Sequence, residues 1–349
     1  MHLFIFAGGA GTRLWPLSRR SAPKQFAKIF EGKSTLQLAV ERVRPFGVES
    51  VFVCTAEAYA DTVREQLPEL AEDHVMTEPA RRDLGAAVAY HLLRAHRRGA
   101  RGPIALLWAD HLMQRPDVFV DALKRAEKMV TDDRDRIVFL GEQPRFPNHN
   151  LGWIHVGDER IDGTRAFLGW KYRPELDVCK AMFERGEWLW NPGYFIFDIE
   201  TMLDLYRRHQ PELMMLLGDM VDGRRSEADY AQAEKLSFDE AVIERMAPEH
   251  AVVIPVSMGW SDPGTLYAMK EALTQTPDGN LHRGAVIDHG SRDGFVYNEC
   301  DDRPVVTVGL DGVIVVNAPD VVLVCHKDAV PEIKPLLARL EAEGFDHLL

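Results

Sequence analysis

Cysteine is scarce in this 349-residue chain: Cys54, Cys179, Cys300 and Cys325 stand far apart, with no C-x-x-C and no Cys/His cluster. That spacing excludes a zinc module and a disulfide framework, and predicts four reduced, mostly buried thiols. Long apolar runs are missing too: no stretch approaches the roughly 20 apolar residues that a membrane-spanning helix needs. The apolar start, residues 1–6, has no basic flank and stops at Gly8-Gly9, so it reads as a first strand rather than a secretion signal. Positive charge is in deficit, with 41 Lys and Arg against 54 Asp and Glu, a formal net charge of −13. Such a surface repels polyphosphate backbones and anionic bilayers, which argues against nucleic acid or membrane as a partner. A local cluster of Lys and Arg can still hold an anionic small molecule. There is no low-complexity tract, and 46% hydrophobic residues with 27% charged ones sustain a sizeable core, which excludes general disorder.

What is present is an alternation. At about 150 residues per domain the length predicts two domains. Short apolar runs at 3–7, 51–54, 104–108 and 137–141 predict strands, and amphipathic stretches at 35–43, 58–66, 85–98 and 118–130 predict helices between them. This β-α-β-α order predicts an α/β, Rossmann-like domain with a mostly parallel sheet. Turn formers at 274–280 break the pattern. Beyond them, β-branched runs at 284–287, 295–297, 305–308, 313–316 and 321–324 predict a small β-rich domain, closed by a helix over 329–343. The expected division is 1–274 and 275–349.

Gly8-Gly9-Ala10-Gly11-Thr12-Arg13 directly follows the first predicted strand. Glycines in that position let backbone N–H groups approach a phosphate. A dinucleotide fingerprint would need glycine where Leu14 stands and an acid about 20 residues further on, ending a second strand. A Walker A loop ending in Gly32-Lys33-Ser34 would need glycine where Ala27 stands. Both common phosphate loops fail, and with the first goes a nicotinamide-dependent oxidoreductase.

Gly8-Gly9-x-Gly11-Thr12-Arg13-Leu14-Trp15-Pro16-Leu17-Ser18, followed by Pro23-Lys24-Gln25-Phe26, resembles the signature of sugar-1-phosphate nucleotidylyltransferases. Its Trp-Pro-Leu-Ser and Pro-Lys-Gln-Phe details are similar to the mannose-1-phosphate guanylyltransferase branch. The resemblance implies that Gly8, Gly9, Gly11 and Thr12 cradle nucleotide phosphates, while Arg13 and Lys24 add positive charge where pyrophosphate leaves. Glu78-Pro79-Ala80-Arg81-Arg82-Asp83-Leu84-Gly85 is similar to the family's E-P-x-x-R-N-T-A/G, with Arg82 matching and Asp83 and Leu84 substituted. A carboxylate at Glu78 can accept the N1–H and N2–H of guanine, a donor pair that adenine lacks. Asp83 also reads as part of an N-cap cluster for the following helix.

Leu107-Trp108-Ala109-Asp110-His111 resembles the family's L-P-A-D-H, and Gly259-Trp260-Ser261-Asp262-Pro263-Gly264 its G-W-S-D-x-G. Both follow predicted strands, where ligands of open α/β sheets collect. Asp110 and Asp262 are therefore the expected Mg²⁺ ligands, since this cation takes one or two carboxylates and completes its shell with water and phosphate. His111 reads as structural. Ser237 with Glu240 reads as a capping box inside a stretch similar to the family's S-x-D-x-A-V/L-x-E.

The sugar side departs from the family pattern. Gly152-Trp153-Ile154 aligns with its G-Y-I, and Trp190-Asn191-Pro192-Gly193 with its W-N-S-G, while Arg145, Asn148, His149, Asn150 and Leu151 are replacements. Arg173 falls on the Lys of F-V-E-K-P and keeps its charge for the sugar phosphate. Tyr172 stands in place of the Glu and cannot copy a carboxylate that accepts two hydroxyls. Gly152 and Asn191 are expected against the sugar ring. The resemblance implies a cytoplasmic transferase using GTP, a sugar 1-phosphate and Mg²⁺, with a homodimer as an admissible assembly. Transfer of GMP to mannose 1-phosphate is the first expectation. A different sugar 1-phosphate, or a non-catalytic NDP-sugar-binding regulatory homologue, are the alternatives, and retention of Arg13, Lys24 and both aspartates speaks against the second.

Overall fold

Short β-branched runs such as Val51–Ala56, buried on both faces, pair into a sheet that has ten strands among the described residues. The computed structural model describes residues 1–9, 14–20, 22–30, 32–274, 276 and 278–349. Backbone proximity divides the chain into two compact units. The first comprises Met1–Gly8, Ala39–Ala109 and Met113–Trp260, and the second Gly9–Leu38, Asp110–Leu112 and Ser261–Leu349.

In the first unit, His2–Phe6 runs parallel between Val51–Ala56 and Pro103–Trp108, with Leu3 opposite Val51 and Ala105. Val75–Glu78 adds a further parallel strand beside Val51–Ala56. Ala251–Val256 is parallel to Ile137–Glu142. Between these parallel blocks lies Phe195–Asp198, antiparallel to both Pro103–Trp108 and Ile137–Glu142. Gly152–Glu159 and Arg165–Tyr172 pair antiparallel as a hairpin. The sheet is thus parallel where the β-α alternation is regular and antiparallel where residues 152–198 return to it.

The helices between the strands bury one stripe each. Pro116–Asp132 begins with proline at its first position, where the missing N–H would have no intrahelical partner, and buries Phe119, Leu123, Ala126 and Val130 at helical spacing. Asp83–Arg97 is buried on most of its surface. Its Gly85 donates to Leu236 O at 2.9 Å and accepts from the Tyr206 hydroxyl at 2.8 Å. A Cβ there would stand 2.7 Å from Leu236 O, so this helix-to-loop approach requires glycine. Ser237 and Glu240 form the expected capping box. Asp83 differs from expectation. The residue flanking its helix is Arg82, which makes no side-chain cap, and Asp83 instead accepts from Leu84 N at 3.0 Å with its own φ at 65°.

The second unit is built on coils of parallel strands. Leu281–Arg283, Phe295–Asn298 and Val313–Asn317 stack in parallel, as do Val286–His289 and Val305–Val308, and Val322–His326 turns back antiparallel. Phe295, Ile314, Val316 and Leu323 face a core shared with Leu14, Trp15, Leu17, Ile29, Leu266 and Met269. The Trp15 indole donates to Leu348 O at 2.6 Å, and Arg19 donates to the same carbonyl. The terminal helix begins at Ile333, later than expected, behind a 3-10 turn at Lys327–Glu332. Among the described residues, no helix is long and apolar enough to cross a membrane.

Candidate active site

The sequence places a glycine loop after the first strand, and Gly8 and Gly9 are its described part. Gly11, Thr12 and Arg13, expected on the phosphates, lie outside the described residues. Gly9 has φ of 104°, a backbone conformation open to glycine. Among the described residues, no heavy atom lies within 4 Å of where a Cβ would stand at Gly8 or Gly9. Close packing therefore does not explain these two glycines. Gln25, almost fully buried, donates from Nε2 to Gly9 O at 3.3 Å, and its backbone carbonyl accepts from Leu36 N at 3.1 Å. That tie connects Pro23-Lys24-Gln25-Phe26 to the loop.

Three sequence-distant charged residues meet in the second unit. Lys24 Nζ lies 2.6 Å from Asp110 Oδ2 and 3.4 Å from Asp262 Oδ1. Burial opposes the Lys24 charge, but the two carboxylates together outweigh it and the ammonium pKa is raised. Burial likewise pushes Asp110 up; Lys24, then His111, pull it further down, so its carboxyl stays below the ordinary range. His111 Nε2 stands 4.0 Å from Asp110 Oδ1. Its expected structural role therefore comes with an electrostatic one.

The donor chemistry here is two carboxylates converging on one cation, with a net charge of −1 if both are ionised. Among the described residues, no group of three or more His, Cys, Asp or Glu side chains is arranged to hold a metal ion. A closed all-protein cage of the zinc type is thus absent from them. A two-carboxylate set fits Mg²⁺, which is reluctant to dehydrate and leaves most of its shell to water and phosphate. The residues present fit that group.

The loop leading to Asp262 is held by a buried carboxylate that sequence reading missed. Glu142 accepts from Met258 N at 2.9 Å, from Trp260 N at 3.1 Å and from Arg145 Nη1 at 2.9 Å. Burial raises its pKa, and the backbone donors and Arg145 work against that rise. Arg145 Nη2 also donates to Trp260 O at 2.7 Å, and its guanidinium lies 4.9 Å from the Trp190 ring centre. Between the two clamped amides, Gly259 has φ of 65°, and a Cβ there would meet Gln114 Cβ at 2.7 Å. Glu142→Ala strands two buried N–H groups and is expected to lower folding stability by about 2 kcal/mol. Denaturant unfolding checks this; a change below about 0.5 kcal/mol would show that water replaces the carboxylate.

Two further groups of expected site residues lie in the first unit. Glu78 ends the strand Val75–Glu78, and its Oε2 accepts from the Tyr230 hydroxyl at 2.9 Å. Burial raises the Glu78 pKa, opposed by that hydrogen bond and by Arg81. Arg82 donates from Nη2 to Ala231 O, and its buried Nε has no hydrogen-bond partner among the described residues. No sequence signal points to Tyr230, which is 152 positions from Glu78.

The second group gathers Gly152, Tyr172, Arg173 and Asn191. Gly152 is opposite Tyr172 in the hairpin and accepts from Asn191 N at 2.8 Å. A Cβ on Gly152 would lie 3.5 Å from Asn191 Cβ and 3.7 Å from Tyr172 Cδ2. Asn191 Oδ1 accepts from Gly193 N at 2.9 Å. Arg173 has φ of 44°, a strained value for a long side chain, held by donation from its N to Leu151 O and from Nε to Asn150 O. Its guanidinium lies 5.0 Å from the exposed Tyr172 ring.

The nucleotidyl transferase family model matches residues 3–279, and that of the MannoseP isomerase/GMP-like beta-helix domain matches residues 284–340. The chain is similar to the mannose-1-phosphate guanylyltransferase ManC of Salmonella typhimurium, with 32% identity over 97% of this chain and 73% of that one. It is 30% identical to the mannose-1-phosphate guanylyltransferase of Escherichia coli over the same shares. A solved structure from Thermus thermophilus, described as a mannose-1-phosphate geranyltransferase, matches with a TM-score of 0.87. It is 30% identical and covers 97% of this chain and 99% of its own.

Proposed function

This chain belongs to the nucleotidyl transferase family, and on that premise we propose that it transfers GMP from GTP to mannose 1-phosphate, giving GDP-mannose and pyrophosphate. The observation that carries this reading is the meeting of Lys24 with Asp110 and Asp262. Those residues come from three separated motifs, and together they offer two carboxylates to a divalent cation and one ammonium to phosphate.

The reaction is a displacement at phosphorus. A phosphate oxygen of the sugar 1-phosphate forms a bond to the α-phosphorus of GTP while the bond to the bridging oxygen of the β-phosphate breaks, and pyrophosphate departs with that electron pair. No protein nucleophile is needed; positioning and neutralised charge supply the acceleration. Asp110 and Asp262 would hold Mg²⁺, which when bound offsets negative charge on the phosphates. Lys24 keeps its proton beside these carboxylates and meets the triphosphate as a fixed positive charge. Arg13 shares that role. Gly8, Gly9, Gly11 and Thr12 cradle the phosphates through loop amides, Glu78 reads the guanine N1–H and N2–H, and Arg82 serves the nucleotide. Arg173 takes the sugar phosphate, and Gly152, Tyr172 and Asn191 line the sugar ring. The enzyme works in the cytoplasm, and a homodimer is compatible with this assignment.

A pyrophosphate-release assay over four nucleoside triphosphates and a panel of sugar 1-phosphates tests the reading. GTP with mannose 1-phosphate is expected to give the highest kcat/KM. A tenfold preference for another base or another sugar would replace the corresponding half of the assignment, and no release from any pair would leave a binding protein.

A further inference from the structure

The segment at 227–232 reaches Glu78 from far along the chain. Its start is fixed by a capping box between Ser226 and Asp229, which shapes it into a 3-10 turn. Tyr230 on that turn is fully buried, with its ring 5.3 Å from the Tyr90 ring and its hydroxyl 2.9 Å from Glu78 Oε2. The next residue's carbonyl, Ala231 O, accepts from Arg82. One short turn therefore touches both Glu78 and Arg82.

We infer that Tyr230 is a positioning residue for base selection: its hydroxyl fixes the Glu78 carboxylate so that the remaining lone pairs meet a purine edge with two adjacent N–H donors. Guanine has that edge and adenine does not. The inference rests on the base-reading role proposed for Glu78. A terminal carboxylate torsion is broad and two-fold, so an unsupported Glu reads two donors poorly. A hydroxyl on one oxygen sets the plane of the group, and that oxygen retains a second lone pair for the base. The Tyr230 donor also favours the ionised, acceptor-only form in a half-buried setting that otherwise penalises charge. Packing against Tyr90 explains an aromatic ring at 230 but not its hydroxyl, since Phe would fill the same space. The hydroxyl's partner is Glu78.

The test compares wild type, Tyr230→Phe, Glu78→Gln and the double variant in steady-state assays with GTP, ITP and ATP at saturating mannose 1-phosphate. Tyr230→Phe is expected to raise the KM for GTP about tenfold while kcat stays within about twofold, and to narrow the GTP-to-ATP preference by a similar factor. Glu78→Gln should narrow that preference further, and adding Tyr230→Phe to it should change nothing more, because the hydroxyl acts only through the carboxylate. If Glu78→Gln narrows the preference and Tyr230→Phe leaves it unchanged, the inference about Tyr230 fails and the role of Glu78 stands. Full additivity of the two changes, or a fall in kcat alone, assigns Tyr230 a packing role and also overturns it. An unchanged preference in Glu78→Gln removes the base-reading role itself.

Discussion

Asp110→Asn and Asp262→Asn are each expected to lower kcat roughly a hundred- to a thousandfold in a protein that remains folded, a loss of about 3–4 kcal/mol in the transition state. An amide keeps the shape of the side chain and one acceptor oxygen but not the charge. In this site the charge matters twice. Both carboxylates face the Lys24 ammonium, and both are the proposed holders of a divalent cation. Removing one of them leaves a site whose charge is balanced by Lys24 alone, with no excess to attract Mg²⁺. The deficit should therefore deepen at low Mg²⁺ and recover in part as Mg²⁺ rises. Kinetics as a function of Mg²⁺ with circular dichroism as a folding control read this directly. Near wild-type kcat at saturating Mg²⁺ in either variant would take that residue out of the proposed metal site.

Lys24→Ala is the second large effect. It is expected to lower kcat/KM for GTP about ten- to a hundredfold, the range for losing a charged hydrogen bond, while the KM for mannose 1-phosphate moves less than about twofold. The asymmetry follows from where the ammonium sits. Its two partners are the acidic pair proposed for the metal and the triphosphate, so its loss falls on nucleotide use. Truncation also leaves two carboxylates without their shared cation, so the apparent Mg²⁺ requirement should change together with GTP use. An equal rise in both KM values would move Lys24 from the nucleotide to the sugar phosphate.

Much of this site was visible as residue type and spacing. The strand before the glycine loop, the helix at Asp83–Arg97 and the Ser237 capping box follow from local pattern, because strand alternation and helix periodicity relate residues only a few positions apart. Lys24, Asp110 and Asp262 were each marked by a motif, and the structure brings those three together. Glu142 was not marked. It sits in a continuous apolar strand where a carboxylate reads as an anomaly, and its partners Met258 and Trp260 are 116 and 118 positions away. Arg145, noted as a departure from the family pattern, acquires a purpose once Glu142 and the Trp260 carbonyl are seen to hold it.

Family and the α/β order of elements were legible in residue order alone, and so were the residues proposed here for phosphate, metal and base, since each is carried by side-chain chemistry or by a period of two or 3.6. Tertiary structure alone decided which residues stand next to one another. It packed Leu14, Trp15 and Leu17 of the glycine-loop motif into the core of the β-coil unit, so those motif residues serve packing as well as flanking the glycines. It assembled that unit from three separated stretches of chain. It set the Tyr230 hydroxyl on Glu78 across 152 positions. No local rule encodes such pairings, because they depend on how the whole sheet closes and on which buried polar groups must find a partner once water has been excluded.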